Sequence, residues 1–215
     1  MTLPGTVQPA TPGLKGFDTD CIVTAKAAAA FAAQGYSFCL RYVSRATTQG
    51  KNDLSPQEAQ TLLQAGLSLM AVQHVRKPYW TPTATLGTSD GVHAAYHVHV
   101  IGFPPKVNVW CDLEGVQAGT PAQQVIDYCN AWHTAVAAAG FTPGLYVGAD
   151  AILTGARLVS ALKFEHYWKS LSTVPALPGR GYQMIQTSGP TVAGIATDQN
   201  VTQNDTQGNA ALLLK

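Results

Sequence analysis

From residue 14 onward, short apolar runs alternate with alanine-rich or amphipathic stretches, the pattern of strands and helices in βα units around a parallel sheet. Residues 14–18 predict the first strand. Residues 22–34 hold a dense alanine block and predict a helix stopping at Gly35, with Asp20 as its N-cap, and residues 36–43 are rich in β-formers. Ser55-Pro56-Gln57-Glu58 matches a capping box with proline at the first helical position, so a second helix runs to about Ala65. Residues 67–75 follow as a strand, 89–100 as a helix and 106–113 as the fourth strand. Thr120-Pro121 opens a helix to Ala139, residues 143–147 form a strand, 150–162 a shorter helix and 165–169 an aromatic strand. Beyond a Pro/Gly loop, 182–186 and 195–201 finish the chain as strands with little room for helices.

Eight strands with about five good helices predict an α/β fold: a closed (β/α) barrel of the TIM type whose last units have lost their helices. An open doubly wound sheet fits a similar pattern, and both bind ligands at the carboxyl ends of the strands. Residues 1–13, rich in proline, glycine and threonine, read as a flexible leader, which leaves 14–215 as a single barrel domain.

Composition narrows the function. Hydrophobic residues make up 46% of the 215 and charged residues 12%, which argues for a packed domain. A formal net charge of +1 gives no electrostatic basis for gripping nucleic acid, and no apolar run reaches the length of a membrane span. Neither nucleic acid nor an inserted membrane is therefore an expected partner. The first residues lack the charged and apolar regions of a signal peptide. Four separated cysteines, with no Cys-x-x-Cys pair, read by default as buried free thiols, with disulfide pairing left open. His93, His97 and His99 read as helix-surface residues, since no His-Glu-x-x-His arrangement or third ligand accompanies them, and no metal is expected.

The sharpest chemistry lies in Val109-Trp110-Cys111-Asp112-Leu113-Glu114-Gly115. Strand side chains alternate faces, so Asp112 and Glu114 point the same way, and each raises the energy of ionising the other. Such a pair suits general acid/base work. Asp18 ends the first strand and Asp198 lies in the last, so three separate segments bring four carboxylates to one mouth. Arg41 and Tyr42, near the end of the second strand, and His74, near the end of the third, are candidate lining residues. Arg41 is expected to reach the acids, where a cation would hold them ionised.

Gly16-Phe17-Asp18, Asp112-Leu113-Glu114, Gly144-Leu145-Tyr146 and Asp198-Gln199-Asn200 resemble, in order, the family 25 glycoside hydrolases, the muramidase-type lysozymes. The Gly16-Phe17-Asp18 opening and Arg41-Tyr42 also resemble the related glycoside-hydrolase-like domain of unknown function. The resemblance implies an irregular barrel of five βα units followed by three strands. It implies cleavage of β-1,4 links in peptidoglycan without metal or organic cofactor. Glu114 corresponds to the general acid. Asp112 corresponds to the partner that orients the substrate's 2-acetamido group or stabilises positive charge, and Asp18 and Asp198 to outer acids. Tyr146, Trp168 and Gln186 correspond to substrate-binding positions. Met184 and Ile185 stand where the lysozymes usually carry a tryptophan, so the competing expectation is a barrel that binds envelope glycan without cutting it. Two carboxylates on one strand suggest a 2-acetamido nucleophile. A cell-wall target implies action outside the cytoplasm.

Overall fold

The computed structural model describes residues 2–215. Its strands are β1 (Val7–Pro9), β2 (Lys15–Thr19), β3 (Phe38–Val43), β4 (Ser68–Gln73), β5 (Asn108–Leu113), β6 (Thr142–Val147), β7 (His166–Lys169), β8 (Met184–Ser188), β9 (Asp198–Thr202) and β10 (Leu212–Leu214). The helices are α1 (Ala25–Ala33), α2 (Pro56–Gln64), α3 (Ala84–Ile101), α4 (Ala122–Ala138) and α5 (Gly155–Ser160). Strands β2 to β9 close into an eight-stranded barrel, with β4 bonded to β5 and β9 returning to β2. Strands β2 to β8 run parallel, while β9 is antiparallel to both its neighbours. Five βα units followed by three strands agree with the expected irregular barrel.

Local chemistry explains where the element boundaries fall. Helix α1 starts late because Thr24, not Asp20, is its N-cap: the Thr24 hydroxyl accepts from the Ala27 N–H at 3.3 Å. Ser55 caps α2 as expected, accepting from the Glu58 N–H at 3.1 Å. Helix α3 begins at Ala84, five residues before the predicted start, capped by Thr83. Its two glycines, unfavourable in a helix by propensity, serve close packing. A Cβ on Gly87 would fall 2.2 Å from the Tyr128 carbonyl oxygen of α4. Helix α5 is shorter than predicted because Asp150 and Ile152 hold the preceding loop in left-handed backbone, at φ 55° and 68°.

The proline-rich beginning differs from the expected leader. Val7–Pro9 pairs with β10, Leu214 of β10 pairs with Leu69 of β4, and Leu3 is buried with its N–H bonded to the Gly102 carbonyl. An apolar partner at 211–214 gives this short segment an edge to join. Among the described residues all four cysteines are free, with Cys39, Cys111 and Cys129 buried. Trp110 is fully buried, its Nε1 donating to Met70 Sδ at 3.2 Å. No helix is long and apolar enough to cross a membrane among the described residues.

Candidate active site

Strand alternation builds the site. Phe17 stacks on Phe31 of α1 with ring centroids 3.7 Å apart, so its neighbour Asp18 faces the barrel interior. In β5, Cys111 and Leu113 take one face, while Trp110, Asp112 and then Glu114 take the other. Asp198 begins β9, and because that strand runs antiparallel its first residue, not its last, meets the mouth, opposite Asp18 in register.

A hydrogen-bonded chain links the walls. Asp18 Oδ2 accepts from Gln186 Nε2 at 2.9 Å and Asn200 Nδ2 at 2.7 Å. Gln186 Oε1 in turn accepts the Tyr146 hydroxyl at 2.8 Å and the Leu171 N–H at 3.2 Å. Asp112 is buried beside this chain, and its Oδ1 has no hydrogen-bond partner.

Desolvation sets the protonation of the group. Burial pushes Asp18 from the ordinary 3.8 to about 7; the Gln186 and Asn200 bonds oppose that rise, and the charges of Asp198 and Glu114 add to it. Asp112 is held well above the usual carboxylate range, first by burial and then by the charges of Glu114 and Asp18. Burial also raises Glu114 and, at the rim, Asp198. Among the described residues no arginine or lysine forms an ion pair with these four.

Arg41 corrects the expectation of a cation at the mouth. It lies one residue from Tyr42, and alternation turns the two to opposite faces of β3. Its guanidinium is fully buried, donating to Glu58 Oε1 at 2.7 Å, to the Asn52 carbonyl at 2.7 Å and to the Thr19 carbonyl. It is a tie between barrel and helix, not a substrate contact. Trp168 is a second correction. It is 1% exposed, edge-on to Trp110 and Tyr146, which leaves no face open to a sugar ring.

Tyr42 and His74 do line the mouth. Their rings stack with centroids 4.8 Å apart beside a cleft of about 350 Å³ shared with Asp18, Thr19, Thr197 and Asp198. Asp53 holds His74 Nε2 at 2.6 Å. Among the helical histidines, His97 is buried, not on the surface, and its Nε2 bonds the Ala46 carbonyl at 2.7 Å, while His93 Nδ1 lies 3.1 Å from the Arg45 carbonyl. Both rings tie α3 to the loop after β3.

Three contributors had no role assigned from the sequence. Asn200 stands two residues after Asp198 on the same face of one strand, so the alternation that paired Asp112 with Glu114 also singles it out. Asp53 lies in a loop whose path no periodicity fixes. Gly148 supports Glu114: a Cβ there would fall 2.3 Å from Glu114 Cβ and 2.5 Å from its Oε2.

Comparison with known proteins supplies the context. Residues 29–209 match the family described as Rv2525c-like, glycoside hydrolase-like domain. The fold is similar to that of the Tat-secreted protein Rv2525c of Mycobacterium tuberculosis, solved with L-tartrate, at 19% identity and TM-score 0.68, over 93% of this chain and 99% of that one. It is also similar to a family 25 glycosyl hydrolase from Bacillus anthracis, at 13% identity and TM-score 0.62, over 91% of each chain. The modular autolysin LytC of Streptococcus pneumoniae, solved with a synthetic peptidoglycan ligand, shares 13% identity at TM-score 0.61, over 89% of this chain and 47% of that one. No curated protein matches the chain.

Proposed function

The chain belongs to the Rv2525c-like, glycoside hydrolase-like domain family, and from that footing we propose that it is a muramidase-type glycoside hydrolase that cleaves β-1,4 bonds of peptidoglycan. The observation that carries this reading is Asp112: a buried carboxyl with one oxygen unpartnered, beside Glu114, in a mouth where, among the described residues, no arginine or lysine pairs with the acids. A rotation of the side chain towards the mouth would let that oxygen accept a donor that the substrate brings, such as the N–H of a 2-acetamido group. Glu114, whose carboxyl burial raises above the ordinary 4.5, gives its proton to the glycosidic oxygen and recovers one from the attacking water. Asp18, locked through Gln186 and Tyr146, holds the wall opposite. Asp198 supplies a carboxylate at the rim, while Tyr42 and His74 offer the sugar a stacked face and a ring nitrogen. The Rv2525c neighbour is described as Tat-secreted and LytC was solved with a peptidoglycan ligand, which supports a site of action at the cell envelope.

Incubation with purified peptidoglycan tests the reading, with new reducing ends as the signal and Glu114→Gln as the control. Release by the parent and a drop of at least about a hundredfold in the variant is expected, in line with the loss of a general acid. Equal release by both would remove Glu114 from the reaction. Binding without release would favour the envelope-glycan binder, which Met184 and Ile185, in place of the lysozyme tryptophan, support.

A further inference from the structure

The two sides of the mouth differ in chemistry. The ends of β2 and β3, the residue just after β4 and the start of β9 present Asp18, Thr19, Tyr42, His74, Thr197 and Asp198. The segments after β4, β6 and β7 instead present apolar side chains to solvent: Tyr79 is 75% exposed, Leu171 52% and Ile152 37%. Glu114, after β5, sits between the first two of these segments. The Tyr79 N–H donates to the Gly115 carbonyl at 2.7 Å, and the Gly115 N–H donates to the Ala149 carbonyl at 2.8 Å. The residue following Glu114 is thus held from both sides.

Tyr79 and Ile152 both adopt left-handed backbone, at φ 67° and 68°. Any side chain disfavours that region, and a β-branched one most. Ile152 is the centre of a three-residue turn closed by the Leu153 N–H on the Ala151 carbonyl at 2.8 Å. Tyr79, three-quarters exposed, does not recover that strain by burying its side chain, and Ile152 recovers it only in part. Strain of this kind, set in an exposed apolar group, collects where a ligand is met.

The footing beneath Tyr79 is firm. Trp80 Nε1 donates to the Glu114 carbonyl at 2.8 Å, and the Trp80 ring meets Tyr128 edge-on at 4.8 Å. The Arg76 guanidinium lies 5.7 Å from the centre of the Trp80 ring and forks onto Asp90, which also accepts the Tyr128 hydroxyl. The backbone that carries Tyr79 is thereby fixed, which leaves only its side-chain rotamer to be ordered on binding.

We infer that Tyr79 forms a second sugar-binding subsite beside Glu114, packing against the C–H face of a pyranose ring. The assignment rests on the glycan-acting reading above. A pyranose with equatorial hydroxyls shows an apolar face that a broad, rigid aromatic covers, while the tyrosine hydroxyl stays in water. The polar cleft across the mouth suits the hydroxyl-rich edge of a neighbouring unit.

Calorimetry with a soluble four-sugar peptidoglycan fragment, in a Glu114→Gln background, isolates binding from cleavage. Tyr79→Ala is expected to weaken binding roughly tenfold, and Tyr79→Phe to restore it to within about threefold. Tyr79→Gly relaxes the backbone, so it should bind as weakly as Tyr79→Ala while unfolding at a higher temperature. In the active protein Tyr79→Ala should raise KM more than it lowers kcat. Undiminished binding by Tyr79→Ala, or binding by Tyr79→Phe as weak as by Tyr79→Ala, overturns the subsite and leaves the Glu114 reading intact. Binding that depends on Tyr79 in a protein that releases no reducing ends keeps the subsite and sinks the hydrolase. A parent protein that neither binds nor cuts sinks both.

Discussion

Two amide donors converge on one oxygen of Asp18, yet burial wins, and the carboxyl sits at about 7 against 3.8 when exposed. Between those values the folded protein keeps a proton that the unfolded chain releases. The stabilisation is complete below pH 3.8 and is lost as pH rises towards 7, on the order of 4 kcal/mol for an isolated group. Urea titrations at pH 5 and pH 7.5 should therefore find the protein more stable at the lower value. Asp18→Asn keeps an oxygen acceptor and should flatten much of that difference. Glu114 is also raised, so hydrolysis that needs its proton should hold to higher pH than an exposed glutamate allows and then fall. Gly148→Ala sets a methyl against Glu114, and a few tenths of an ångström cannot clear a 2.3 Å approach. Cleavage should drop at least tenfold and the unfolding temperature should fall by several degrees, which parallel activity and thermal measurements will show.

Arg41 and Glu58 act between elements. Glu58 Oε1 accepts both Arg41 Nε at 2.7 Å and the Val23 N–H at 2.8 Å, joining β3 and α2 to the turn that enters α1. Removing the cation alone leaves a buried carboxylate, so Arg41→Met should cost about 3–5 kcal/mol in urea unfolding, and adding Glu58→Met should recover much of it. The partnership also marks how far sequence reasoning reached. Apolar periodicity located the barrel strands and helices, and the capping box placed Glu58 in the first turn of α2. It could not say that Glu58 would claim Arg41, because the two meet only when strand and helix pack. The period-two rule did hold the hint, since Arg41 and Tyr42 cannot both face the mouth. The start of α3 was hidden for a different reason: Gly87 and Gly91 are poor helix formers, chosen for the closeness of α4.

At the scale of the molecule, the two ends of the barrel divide the work. The acids cluster at the mouth, while β10, with β1 on its outer edge, meets β4 near its amino-terminal end, at Leu69. Deleting residues 210–215 removes the buried Ala211, Leu213 and Leu214 and should lower stability by several kcal/mol, at about 1.5–3 for each leucine. At a temperature where the shortened chain stays folded, cleavage should persist, because the deletion touches only the far end. The direction of β9 was the least legible feature, since hydrophobic pattern fixes neither the sense of a strand nor its neighbours. That direction sets Asn200 against Asp18, a bond spanning 182 positions of chain. The first and last staves of the barrel thus complete one constellation, and loops of that length close late in folding. A nascent or clipped chain, however many of its βα units have formed, has an unfinished site, and in refolding the return of catalysis should trail the helical signal and time the closing of the ring.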